Sequence, residues 1–208
     1  VIDGYLLRIY RFMFADNKYK LTSLIVLSST YFLLFPLDEE WVIFSQTTLL
    51  NFDIQTLTAF FSNNLVHADL DHWLHNTIFV LVLGPIIERR FKFWGALLII
   101  MMGLSLNNLF TLVLATHPDS YAIGLSGITY AFMGAYLCKP KLNLLTFLII
   151  PVFFIALISE LITLTHATSF LGSAAHVGGF TGGLLAALSI YCWGYKPCVC
   201  GKENAKAA

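Results

Sequence analysis

The sequence predicts an all-α polytopic membrane protein, a bundle of six transmembrane helices with both termini in the cytoplasm. Three observations predict it. First, 58% of the 208 residues are hydrophobic and 12% are charged, with a mean hydropathy of +0.76. Soluble domains carry about 25% charged residues, so the surplus apolar surface has to face lipid. Second, the apolar residues gather into runs near the roughly 20 residues that a spanning helix needs. Third, the basic residues segregate completely to alternate loops.

The runs lie at 21–37, 72–87, 92–116, 123–138, 142–163 and 170–193. Arg8, Arg11, Lys18 and Lys20 precede the first run. Arg89, Arg90 and Lys92 lie between the second and third, and Lys139 and Lys141 between the fourth and fifth. Lys196, Lys202 and Lys206 follow the sixth. The other three loops have acids and histidines but no basic residue, and the positive-inside rule then orients the bundle. Three regions follow: an amphipathic interfacial segment at 1–20, the membrane domain at 21–195, and a cytoplasmic tail at 196–208. The first outer loop, 38–71, carries Trp41, Phe44, Leu49, Leu50, Phe60 and Phe61, and is expected to lie in the outer leaflet.

Formal net charge is zero, so bulk charge predicts no nucleic-acid partner. The first twenty residues are too polar for a cleavable signal peptide. The chain begins at Val1 rather than Met, which leaves a longer native N-terminus open. Cys138, Cys192, Cys198 and Cys200 all fall at or near the cytoplasmic side, where thiols stay reduced, so no disulfide framework is expected.

Polar groups inside a bilayer are costly, and each invites a functional question. His72, His75 and Asn76 fall in the second span, and Asn107 and Asn108 in the third. The fourth carries Ser126 near its start, Glu160 sits near the outer end of the fifth, and His176 lies in the sixth. The fourth span is short. With its inner end pinned by Lys139 and Lys141, Ser126 falls roughly 10 Å below the outer surface, and His176 falls at roughly 9 Å. Ser126, Tyr130 and Gly134 share one helical face; His176, Gly179, Gly183 and Ala187 share another. Small residues on both faces allow close approach, so a hydroxyl and an imidazole at matched depth can form a nucleophile–base pair. The second, fourth and sixth spans hold no acid near that depth. A Ser126–His176 dyad is therefore expected, its imidazole positioned by packing against the Tyr130 ring. The Ser126 amide, at a helix start, and the side chains of His72 and Asn76 could donate to an oxyanion. His67 and the Glu88–Arg89 pair are expected to be structural, and Asn107 and Asn108 to join helices.

These residues are where the chain resembles a known family, the rhomboid intramembrane serine proteases. The resemblance runs from about residue 60 to 190 and rests on three motifs. His67 is followed by His72, Asn76, Gly84 and Glu88-Arg89. Gly124-Leu125-Ser126-Gly127 is followed by Tyr130-Ala131 and Gly134. His176-Val177-Gly178-Gly179-Phe180 is followed by Gly183-Leu184-Leu185. The resemblance implies a rhomboid-like bundle with Ser126 as nucleophile, His176 as base, and His72 and Asn76 with the Ser126 amide as oxyanion hole. Tyr130, Gly124, Gly127 and Gly179 would be supporting residues. It implies single-span membrane-protein substrates entering past the fifth span and the loop before the sixth, and no metal or organic cofactor. A bacterial plasma membrane fits the short six-span core. Two positions depart from the common pattern: Thr58-Ala59 stands where many relatives have Trp-Arg, and Lys92 stands where a glycine is common.

Other functions fit less well. His72-Trp73-Leu74-His75 lacks the spacing and the glutamate of a zinc metalloprotease. A transporter would show internal repeats or paired intramembrane charges. The remaining alternative is a protein of this fold that binds membrane clients without cutting them.

Overall fold

The computed structural model describes residues 19–140, 144–163 and 170–193. The interfacial segment expected at 1–20 (all but its last two residues), Lys141, the loop before the sixth span, Cys198, Cys200 and the tail lie outside the described residues. All regular structure among the described residues is helical: α1 (Lys20–Leu34), α2 (Gln46–Asn51), α3 (Ile54–Ser62), α4 (Leu70–Leu114), α5 (Ser126–Leu137), α6 (Leu144–Thr163) and α7 (Phe170–Cys192), with a 3-10 turn at Glu39–Trp41. Two described helices are long and apolar enough to cross a membrane, Leu70–Leu114 and Leu171–Cys192.

α5 is the centre of the bundle. Every residue from Gly127 to Tyr136 is buried, as expected of a helix that is apolar on all sides. α4 and α7 enclose it and pack on each other, α1 packs on α4, and α6 packs chiefly on α7. Phe91, Leu83, Ile87 and Ile99 of α4 meet Ile128 and Phe132 of α5 and Ala187 of α7 in one core. The glycines set the spacing. A Cβ on Gly179 would lie 2.5 Å from the Gly127 carbonyl oxygen, and one on Gly183 would overlap the Ala131 carbonyl, so α7 touches the backbone of α5 directly.

The second and third apolar runs differ from expectation in one respect. They form two helices that abut directly at Lys92, whose φ 61° and ψ 179° are the one non-helical backbone conformation within Leu70–Leu114. A 45-residue helix would be about 68 Å long, more than twice a hydrocarbon core of about 30 Å. The chain doubles back at Lys92. Asn76 before it and Asn107 after it both approach the 124–127 turn, whereas Arg90 donates to the Tyr136 carbonyl at the far end of α5.

Glu88 shows why the polar residues near that bend are needed. α1 starts without a side-chain cap of its own. The buried Glu88 carboxylate takes its place, accepting from Leu21 N–H at 3.1 Å, Thr22 N–H at 2.6 Å and the Thr22 hydroxyl at 2.5 Å. An anion at a helix N-terminus satisfies orphan donors and meets the positive end of the helix dipole. Arg89 donates to the Tyr19 hydroxyl at 2.6 Å. At the same end Cys138 and Cys192 are free thiols.

The 38–71 segment folds into the 3-10 turn, α2 and α3. Phe44 is buried, while Leu50, Phe52, Ile54 and Leu57 remain exposed. Ala59, at one of the two departing positions, is fully buried, and Thr58 bonds back to the Ile54 carbonyl.

Candidate active site

The turn ahead of α5 is held from outside. Gly124 N–H donates to the Asn63 carbonyl at 2.8 Å, and Leu125 N–H donates to His67 Nε2 at 3.1 Å. Gly124 adopts φ +115°, a conformation that L side chains rarely reach. The segment after α3 that supplies Asn63 is itself tied to α4. Asn63 donates to Asn108 Oδ1 at 2.9 Å, Asn107 donates to Asn64 Oδ1 at 3.3 Å, and Asn108 donates to the Phe60 carbonyl at 3.0 Å. The two α4 asparagines thus join elements as expected, and they brace the serine turn in doing so.

His67 accepts through Nε2 only if that nitrogen is unprotonated. Burial, reinforced by the neighbouring His72 ring, lowers its pKa to about 4, so it stays neutral at physiological pH.

Ser126 is the first residue of α5 and is half-buried. Its amide therefore has no partner within the helix. Opposite lies the N-terminal end of α4, where Asp69 Oδ1 accepts from the His72 amide at 2.7 Å. His72 and Asn76 converge on the turn. A Cβ built on Gly124 would lie 2.7 Å from His72 Nε2 and 3.5 Å from Asn76 Nδ2. Asn76 is buried, and its amide nitrogen has no hydrogen-bond partner among the described residues. An unpaired buried donor is costly to leave, and such groups gather where a ligand atom will arrive. His75, by contrast, is exposed and its Nδ1 meets the Asp71 carbonyl at 2.8 Å.

His176 faces the same region from α7. Its ring stacks on Tyr130 with centroids 4.5 Å apart and planes 7° from parallel. Tyr130 lies one turn along α5 from Ser126 on the same face. Gly179, one turn along α7 from His176, touches Gly127. The two helices therefore meet with the serine and histidine faces toward each other.

One arrangement is absent from the sequence reading. A dyad without an acid follows from the second, fourth and sixth spans, which hold none near that depth. α6 instead turns Glu160 inward, and Glu160 Oε1 stands 2.9 Å from His176 Nδ1, off the N–H axis. Tyr130 donates to Oε1 at 2.9 Å and Ser173 donates to Oε2 at 2.5 Å. The signal available beforehand was an isolated carboxylate on an otherwise apolar helix, near the outer end, where the histidine also lies.

A serine at the start of a buried helix, a histidine stacked beside its face and the unpaired Asn76 amide across the turn form a polar centre within a helical bundle. Residues 55–192 match the family model of the Rhomboid domain. That match spans more than half of the chain, which belongs to the rhomboid family and is a polytopic integral membrane protein. The family includes proteases and inactive members. The curated proteins hold no match to this chain.

Proposed function

We propose that the chain is an intramembrane serine endopeptidase that hydrolyses peptide bonds in or near the transmembrane segments of single-span membrane proteins. The observation that carries the reading is the clamped 124–127 turn, in which Gly124 approaches the unpartnered Asn76 amide and Ser126 opens the helix whose Tyr130 stacks on His176. Ser126 Oγ attacks the scissile carbonyl carbon and its proton passes to His176 Nε2. The carbonyl electrons move onto oxygen, where the Ser126 amide, Asn76 and His72 donate. As the C–N bond breaks, His176 returns the proton to the leaving amine, and water then releases the acyl group by the same route in reverse. Tyr130 holds the ring by stacking.

The bundle crosses the membrane six times with both termini cytoplasmic, as the distribution of basic residues supports. A bacterial plasma membrane suits this topology. α5 has 12 residues and is about 18 Å long, too short for the whole core, so its serine end lies below the outer surface. The outer-loop helices α2 and α3 rest their exposed apolar residues in the outer leaflet. Substrate enters past α6, which packs chiefly on one neighbour and turns Phe154, Ile155 and Ile158 outward.

The test is labelling of the detergent-solubilised protein with a fluorophosphonate, with cleavage of a single-span reporter measured in parallel. Wild type should label and cleave, while Ser126→Ala and His176→Ala do neither and a chelator changes nothing. Asn76→Ala should slow cleavage by about 10²-fold or more. A wild type that stays unlabelled beside a reactive membrane serine protease would refute the reading and leave binding of membrane clients as the function.

A further inference from the structure

We infer that Glu160 is a positioning residue for the proposed reaction, a carboxylate that holds the His176 ring through Nδ1 and supplies the counter-charge when Nε2 takes the serine proton. The inference rests on the serine-protease reading above and extends it from a pair to a relay of three.

Geometry makes the case. Glu160 Oε1 lies 2.9 Å from His176 Nδ1, with side-chain exposures of 17% and 23%. A carboxylate this enclosed is retained only where donors compensate its lost hydration. Two neutral donors fix it, the Tyr130 hydroxyl on Oε1 and the Ser173 hydroxyl on Oε2. Both come from residues that also frame the histidine. Tyr130 stacks on the ring, and Ser173 lies one turn before His176 on the same helix. The carboxylate thus lies beside Nδ1 of the stacked ring. A short contact lying off the N–H axis is common for catalytic hydrogen bonds before substrate closes the site.

Chemistry then assigns the role. A proton on Nδ1, the ring nitrogen beside Glu160, leaves Nε2 bare, which is the tautomer a base needs. When Ser126 Oγ bonds to the carbonyl carbon, its proton moves to Nε2. Nδ1 keeps its own proton and Glu160 stays ionised throughout, so the imidazolium forms beside an existing negative charge. The other ionisable side chains near the ring are His72 from α4 and the Tyr130 phenol from α5, and neither is an anion that could do this.

A purely structural clasp joining α5, α6 and α7 would also use these bonds, so the test must separate the two. Steady-state cleavage of a single-span reporter by the full chain is measured for wild type, Glu160→Gln and Glu160→Asp, with thermal unfolding of each. The Gln amide keeps the size and an acceptor oxygen but loses the charge and turns a donor toward Nδ1. Its kcat should fall roughly 10²- to 10⁴-fold at unchanged KM in a protein that still unfolds cooperatively, by analogy with neutralising the acid of a serine-protease triad. Glu160→Asp should recover part of that loss. The histidine ¹⁵N spectrum of Ser126→Ala gives a readout independent of turnover and of how well the variants fold. It should show His176 as the Nδ1–H tautomer with a strongly deshielded proton. A folded Glu160→Gln protein with wild-type kcat, or a His176 ring in the Nε2–H form, would overturn this inference alone. A wild type that neither labels nor cleaves would overturn the protease reading with it.

Discussion

Lys92 is the residue whose replacement should most plainly stabilise the protein. It turns the chain between the two halves of α4 at φ 61° and ψ 179°. This region is essentially confined to glycine, because a Cβ there crowds the neighbouring carbonyls, and occupying it costs about 1–3 kcal/mol. The Lys92 side chain is exposed, so Lys92→Gly gives up little packing. The opposing term is the greater freedom of glycine in the unfolded chain, about 0.5–1 kcal/mol. The net gain should be about 0.5–2 kcal/mol, a rise of a few degrees in melting temperature for a chain of this size. Thermal unfolding in one detergent, followed by intrinsic fluorescence, would measure it. Lys92→Ala is the control. It removes the same charge and stem but keeps the Cβ, and should gain nothing. Equal gains from both variants would mean that the charge, not the backbone, was at issue; a loss from Lys92→Gly would refute the strain argument outright.

Other perturbations follow from the same contacts. Glu88→Ala removes a buried carboxylate that three donors of α1 use, and should cost about 2–4 kcal/mol of stability, read by thermal unfolding; Glu88→Gln, which keeps one acceptor, should cost less. Gly124→Ala forces a side chain into φ +115° and against His72, so reporter cleavage should fall at least tenfold while the helical circular dichroism stays intact. The His67 clamp predicts a pH dependence. The His67 pKa is depressed by burial to about 4 in the fold, against about 6.5 when unfolded. Between those values the unfolded chain binds the extra proton, so this contribution is full above about pH 6.5 and declines as pH falls toward 4. Melting temperature should drop across that window in wild type, and the slope should be shallower in His67→Leu.

Much of the fold is legible in the sequence because membrane segments obey strong, local rules. Apolar runs and the placement of twelve basic residues anticipate helices near all six segments. The boundaries that differ do so for long-range reasons. The fourth segment begins as a helix only at Ser126, because Gly124 and Leu125 are held in a turn by Asn63 and His67, some 60 positions earlier. The cap on α1 is equally hidden, since nothing near Lys20 announces that Glu88 will supply it.

The polar centre divides along the same line. Ser126, Tyr130 and Gly134 lie a turn apart on one helix, as do His176, Gly179 and Gly183 on another, so helical spacing alone brings each set to a face. Orientation of α6 has no such key, because residues of that helix are apolar on every side and no hydrophobic stripe says which turns inward. Its carboxylate decides the matter. Leaving Glu160 toward lipid would strand a charge, whereas rotating it inward gives it Tyr130, Ser173 and His176. The same cost that makes an intramembrane acid rare therefore fixes the rotation of the helix at the proposed entrance. A substrate that displaced α6 would have to part the carboxylate from the histidine. Cleavage would then wait until the helix returned, which ties the competence of the base to closure of the site around its substrate.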